Sequence, residues 1–154
     1  MLLDATVYEE VEHDVSALPQ AAVVVALAAL AGGIGGFPQV GFIGGLIQGF
    51  IVWGLGAAIV WVIGVRVLEH TSDYPELLRT LGFGLAPQIL FVLGAIPLGP
   101  LTGLLMLVVA VMAIVAWVIA VRQALDISTG RAVAICLLAH VVSMVLFVLI
   151  PSLA

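Results

Sequence analysis

Lysine is absent from this 154-residue chain, and only four arginines supply strong positive charge. Charged residues of both signs amount to 8% of the chain. So little charge leaves a soluble domain of this size unable to avoid apolar patches that drive association. It also excludes a basic nucleic-acid surface and a polybasic lipid-binding tail. The single cysteine, Cys136, excludes an internal disulfide and a cysteine-based metal cluster. Set within an apolar run, it reads as a small packed hydrophobe. Catalytic signatures are missing as well: there is no H-E-x-x-H, no phosphate-binding glycine loop and no lysine for a Ser–Lys dyad. His140 and Ser143 share one apolar run at a spacing of three, but no carboxylate lies at that level to orient them. The expectation is a non-enzyme with no cofactor and no metal.

A signal peptide is not expected either. Five of the nine acids (Asp4, Glu9, Glu10, Glu12, Asp14) fall in the first fourteen residues, and the first apolar run begins only near Leu18. A secretory signal instead needs a basic start, so the first span is expected to be retained.

What the chain has is hydrophobic length. It is 64% hydrophobic, with a mean hydropathy of +1.37. Five apolar segments, 19–37, 41–65, 76–96, 101–121 and 131–150, each approach the ~20 residues that cross a hydrocarbon core. Pro19 and Pro75 suit first helical turns. Pro38, Pro97, Pro100 and Pro151 mark ends or turns, and only Pro87 interrupts a span. Gly32, Gly33, Gly35 and Gly36 blur the end of the first segment. The predicted fold is an all-α, five-span membrane domain over 19–154, preceded by a cytoplasmic amphipathic segment over 1–18.

Arg66 and Arg79 flank one short polar stretch, Arg122 and Arg131 the other. Arginine-bearing short loops stay on the cytoplasmic side, which puts the N-terminus inside and the C-terminus outside a cell membrane. Trp61 and Trp117, each five residues before an arginine, fit an interfacial aromatic belt. The two sites extend to a repeat: Trp61-Val62-Ile63-Gly64-Val65-Arg66 matches Trp117-Val118-Ile119-Ala120-Val121-Arg122 at five of six positions. Either two parallel hairpins are copies of one unit, as in some transporters, or shared interfacial chemistry produced the match.

Thr6 with Glu9 forms a possible capping box for the leading helix. Val7, Val11, Val15 and Leu18 then recur at helical spacing. The segment is either a solvated acidic tail or a helix docked on the arginine turns. In the docked case Glu9, Glu12 and Asp14 meet Arg66, Arg79, Arg122 and Arg131 in a cytoplasmic ion-pair layer. In the turns themselves, 71–76 and 126–131 have the composition of helix caps, with Ser128 or Thr129 opening the last span. Arg122 and Asp126, four apart, are a candidate pair.

Gly41, Gly45 and Gly49 form two overlapping G-x-x-x-G steps, which serve packing within the chain or a homo-oligomer contact. Gly82 and Ala86 are a candidate receiving surface. His140 is the ionisable residue deep in a span. It lies nine residues past Arg131, as Gln88 lies nine past Arg79. Both positions are ~13 Å deeper than their arginines at 1.5 Å per residue. With Pro87 releasing the Phe83 carbonyl, His140, Gln88 and Pro87 make a candidate intramembrane polar site, serving either as helix glue or in proton or substrate handling.

The run Val7-Tyr8-Glu9-Glu10-Val11-Glu12-His13-Asp14 with Gln20-Ala21, then Leu77-Leu78-Arg79-Thr80-Leu81-Gly82-Phe83 leading to Ala86-Pro87, then Val121-Arg122-Gln123-Ala124-Leu125 running into Ser128-Thr129-Gly130-Arg131-Ala132, resembles the Yip family of Ypt/Rab-interacting proteins. The resemblance spans essentially the whole chain. It implies a five-helix membrane protein with a cytoplasmic N-terminus. Eukaryotic members, associated with Rab GTPases and vesicle traffic, carry a long cytoplasmic N-terminal region. This chain has fewer than twenty residues there, which puts a small GTPase partner in doubt and fits the short prokaryotic branch. The resulting expectation is a non-catalytic scaffold or trafficking-like organising subunit. Its partners would be the bilayer and a homo-oligomer or another membrane protein. The alternative is a small permeation protein using the Gln88/His140 level.

Overall fold

The computed structural model describes residues 5–36 and 41–152, without the side chains of Ala5, Glu12 and residues 146–152. The turn expected at Pro38 lies outside the described residues. All regular secondary structure described is helical.

Helix α1 covers Ala5–His13. It stops where Asp14 turns the chain: the Asp14 carboxylate accepts from the Ser16 N–H at 2.9 Å and from the Ser16 hydroxyl at 2.6 Å. A 3-10 turn, Val15–Ala17, leads into α2, Leu18–Ala31, which carries Pro19 in its first turn. This break puts Val15 out of register, so it is 79% exposed rather than part of a continuous apolar stripe. Tyr8, 2% exposed, is the residue that anchors α1.

After α2 the chain continues as a π-helical turn, Gly32–Gly36. Helix α3 follows, Gly41–Trp61, and widens into a second π-helical stretch, Val62–Val67, where the Leu68 N–H reaches back five residues to the Ile63 carbonyl at 3.0 Å. Helix α4, Tyr74–Gly84, opens with a complete capping box. The Glu76 N–H donates to the Asp73 carboxylate at 2.7 Å, and the Asp73 N–H to the Glu76 carboxylate at 3.0 Å. Helix α5 is Pro100–Ala124 and helix α6 is Thr129–Ser152. The Ser128 carbonyl accepts the Ala132 N–H at 3.0 Å and starts α6. Pro151 sits in its last turn.

Among the described residues, four stretches are long and apolar enough to cross a membrane: Val15–Gly35, Gly41–Val67, Tyr74–Ala95 and Pro100–Ala124. A shorter apolar stretch, Thr129–Val145, lies within α6. The third is not one α-helix. It breaks at Leu85, whose N–H turns back to the Gly82 and Phe83 carbonyls, and continues as a ten-residue 3-10 segment, Ala86–Ala95, with Pro87 in its first turn. At about 2.0 Å per residue a 3-10 helix covers more depth with fewer residues.

Among the described residues two apolar clusters hold the helices. One, at the arginine end, joins Tyr8 of α1 to Ala57 and Val60 of α3, Leu77 and Leu81 of α4, Val121 of α5 and Leu125 just after it, and Ala132 and Ile135 of α6. The other places Ala21, Val25 and Ala28 of α2 with Trp53 and Leu85. Small residues allow the close approach: a Cβ on Gly84 would lie 3.0 Å from that of Ala120, and one on Gly82 would lie 2.8 Å from that of Ala21. The outer surface is a belt of exposed Ile, Leu, Val and Phe.

Candidate functional site

Within the apolar belt two groups of polar side chains stand out. The first acts as struts. Trp53 Nε1 donates to the Leu78 carbonyl at 3.0 Å and the Tyr74 hydroxyl to the Gly54 carbonyl at 3.0 Å, tying α3 to α4. Thr80 and Ser143 donate to carbonyls one turn back, those of Glu76 and Ala139, at 3.0 and 2.8 Å.

The second group lines a cleft of about 210 Å³ between α2, α3 and the 3-10 segment, with Gly33, Gly45, Gln48, Gly49, Gln88 and Phe91 in its wall. Three residues per turn bring positions i, i+3 and i+6 of a 3-10 helix into line, so Gln88, Phe91 and Gly94 form one ridge. Gln88 and Phe91 line the cleft. A Cβ on Gly94 would collide with the Gly35 carbonyl, so only glycine fits that crossing. Gln48 lies between Gly45 and Gly49, whose spacing is a packing signal. As an amide within a span it was a visible signal.

His140 is not in this cleft. Helix α6 packs through Ala132, Ile135 and Ala139, and His140, next to the last of these, is turned onto the exposed side. Gln88 and His140 are therefore not brought together: matched depth does not fix the direction around a helix axis. Pro87 is buried where the third span breaks.

The glycine face of α3 is occupied from within the chain. A Cβ on Gly45 would come 3.1 Å from the Ala29 carbonyl, and one on Gly49 would collide with the Ala29 side chain. Gly41, at φ +70°, has open space around it. Gly82 receives Ala21 and Trp53.

At the arginine end the four guanidiniums differ. Arg79 is buried, 7% exposed. The Ser16 hydrogen bonds, followed by Arg79's charge, hold the Asp14 carboxyl below the usual range. Arg66 is exposed, its guanidinium carbon 4.8 Å from the centroid of the Trp61 ring. Arg122 donates from Nε and Nη2 to the Gln123 side-chain oxygen at 2.9 and 2.8 Å. Asp126 lies beyond the end of α5 at φ +49°, off the face where an i+4 pair would form. Arg131 is exposed, and among the described residues no acid is joined to it. Glu9 is exposed and accepts from His13 through its backbone carbonyl at 2.9 Å. The Glu12 side chain lies outside the described residues. Helix α1 packs on α4 and α5, and Asp14, just beyond its end, is the acid that feels the Arg79 charge. Among the described residues no cluster of three His, Cys, Asp or Glu is placed to hold a metal ion.

The Yip1 domain model matches residues 6–150, from the docked α1 into the last helix. The chain belongs to the Yip family. Comparison with curated proteins and with solved structures finds no match. The Yip domain thus comprises the docked N-terminal helix, the broken third span and both arginine turns, in a multi-pass membrane protein.

Proposed function

We propose that this Yip-family protein is a five-span, non-catalytic scaffold or organising subunit of a prokaryotic cytoplasmic membrane. Its N-terminus and arginine turns lie inside and its C-terminus outside. The observation that carries this reading is the use of intramembrane polar groups as struts: Trp53 and Tyr74 are both committed to backbone carbonyls of a neighbouring helix. Such bonds fix helix spacing. The 24 residues of α6 reach about 36 Å at 1.5 Å per residue, enough for a fifth span. The arginines and the docked α1 share one end, which supports the orientation. The partners are the bilayer and a further copy or another membrane protein.

A second reading, a small permeation protein, draws on the Gln48–Gln88 cleft. Solute flux into proteoliposomes separates the two. The scaffold reading expects no flux above protein-free liposomes. Flux that falls in Gln48→Ala and Gln88→Ala, with folding intact and His140→Ala as an off-cleft control, would replace scaffold with permeation.

A further inference from the structure

The second cavity, about 420 Å³, lies at the arginine end between α6 and the π-helical exit of α3. One wall is the stripe Arg131, Ala134, Ile135 and Leu138, spaced i, i+3, i+4, i+7 on α6. These positions share a helix face, so a cation sits at the rim and apolar side chains descend below it for about 10 Å. The opposite wall repeats that order, with His70 polar and Ile63 and Leu68 apolar. Helix α1, packed on α4 and α5, is not part of this lining. Arg131, with no acid joined to it among the described residues, has its donors available to an incoming anion.

We propose that this groove is a phospholipid site, with the headgroup phosphate on Arg131 and His70 and an acyl chain along Ala134, Ile135 and Leu138. A cation alone would suit free phosphate equally. The apolar walls beneath it select an amphiphile, and basic pockets between spans at the interface are suited to lipid headgroups. The inference rests on the membrane reading above, but not on the scaffold role.

The test is native mass spectrometry of the full-length protein released from detergent, titrated with phosphatidylglycerol, with diacylglycerol and with inorganic phosphate. One phosphatidylglycerol per chain should be retained in preference to diacylglycerol. Arg131→Gln should weaken its retention about tenfold, the scale of one charge-assisted contact. Leu138→Trp, which fills the lower groove, should also weaken it, while Arg66→Gln should not. Equal retention by the parent and Arg131→Gln, or equal loss in Arg66→Gln, would overturn the site. Phosphate retained as strongly as the lipid would make it a free-anion site and overturn the lipid assignment. A chain that does not enter liposomes at all would instead sink the membrane reading, a failure distinct from these.

Discussion

The two arginine stretches begin with nearly the same hexapeptide and end in different surroundings. From Trp61 the first runs through a π-helical turn, and its Arg66 lies exposed over the Trp61 ring. Its closing arginine, Arg79, is buried near the docked α1. From Trp117 the second stays α-helical to Ala124, with Arg122 held on Gln123. Its closing arginine, Arg131, is exposed at the rim of an apolar groove. The one position at which the hexapeptides differ matters to packing. Gly64 accommodates Leu125, which would lie 2.7 Å from a Cβ there, whereas Ala120 is fully buried against Gly84. Shared sequence does not dictate shared helix type, because tertiary neighbours outweigh local propensity. A single short helix covering α4 and α5 then makes one closing arginine structural and leaves the other available.

The sharpest way to break this contrast is charge reversal at the closing arginines. Arg79→Glu should destabilise the folded protein by about 3–5 kcal/mol, the scale for an uncompensated buried charge. Arg131→Glu, on an exposed side chain, should change stability by about 1 kcal/mol or less. Thermal unfolding in detergent measures both, and similar losses would refute the asymmetry. Reversal at Asp14 should recover part of the Arg79→Glu loss, and no recovery would remove Asp14 as the Arg79 counter-charge.

A smaller effect is expected at the differing position. Ala120→Leu overfills a sealed contact and should cost about 1–3 kcal/mol. Gly64→Ala makes the two hexapeptides identical. It crowds both methyls of the buried Leu125 but gains helix propensity, so the net loss should stay below about 2 kcal/mol. A large loss from Gly64→Ala would show that the π-helical exit depends on glycine.

The smallest effect is a pH dependence of α1 docking. Burial pushes the Tyr8 phenol from 10.0 up to about 12. A raised folded-state value means that Tyr8's contribution is fully present below pH 10 and is lost as pH rises towards 12. Amide protection of α1, relative to the base-catalysed intrinsic exchange rate, should therefore fall over that window in the parent and much less in Tyr8→Phe. An unchanged pH profile in Tyr8→Phe would remove Tyr8 from this role.

Much of the architecture was legible because its causes are local. Apolar run length marks helices that can cross a membrane. Asp73, Pro75 and Glu76 announce the start of α4, and Pro87 announces the break in the third span. The site was less legible. His140 and Gln88 were paired by depth, which counts residues along an axis, but their directions depend on which neighbours each helix packs against. Gln48 joined Gln88 in one cleft only because the 3-10 segment packs on α2 and the π-helical turn after it, which leaves α3 across the cleft. For α1, periodicity pointed to a valine stripe, yet the Asp14 turn left Val15 exposed and made Tyr8 the anchor.

By itself, the sequence determined that this is a helical membrane protein with its arginines in two short stretches, because span length, charge scarcity and capping chemistry act within a few residues. Tertiary structure alone decided which arginine is buried, where the π and 3-10 turns fall and which polar groups share a cleft. Those outcomes depend on the rotation of each helix and on close contacts such as Gly35 with Gly94 and Ala120 with Gly84, made between residues far apart in the chain.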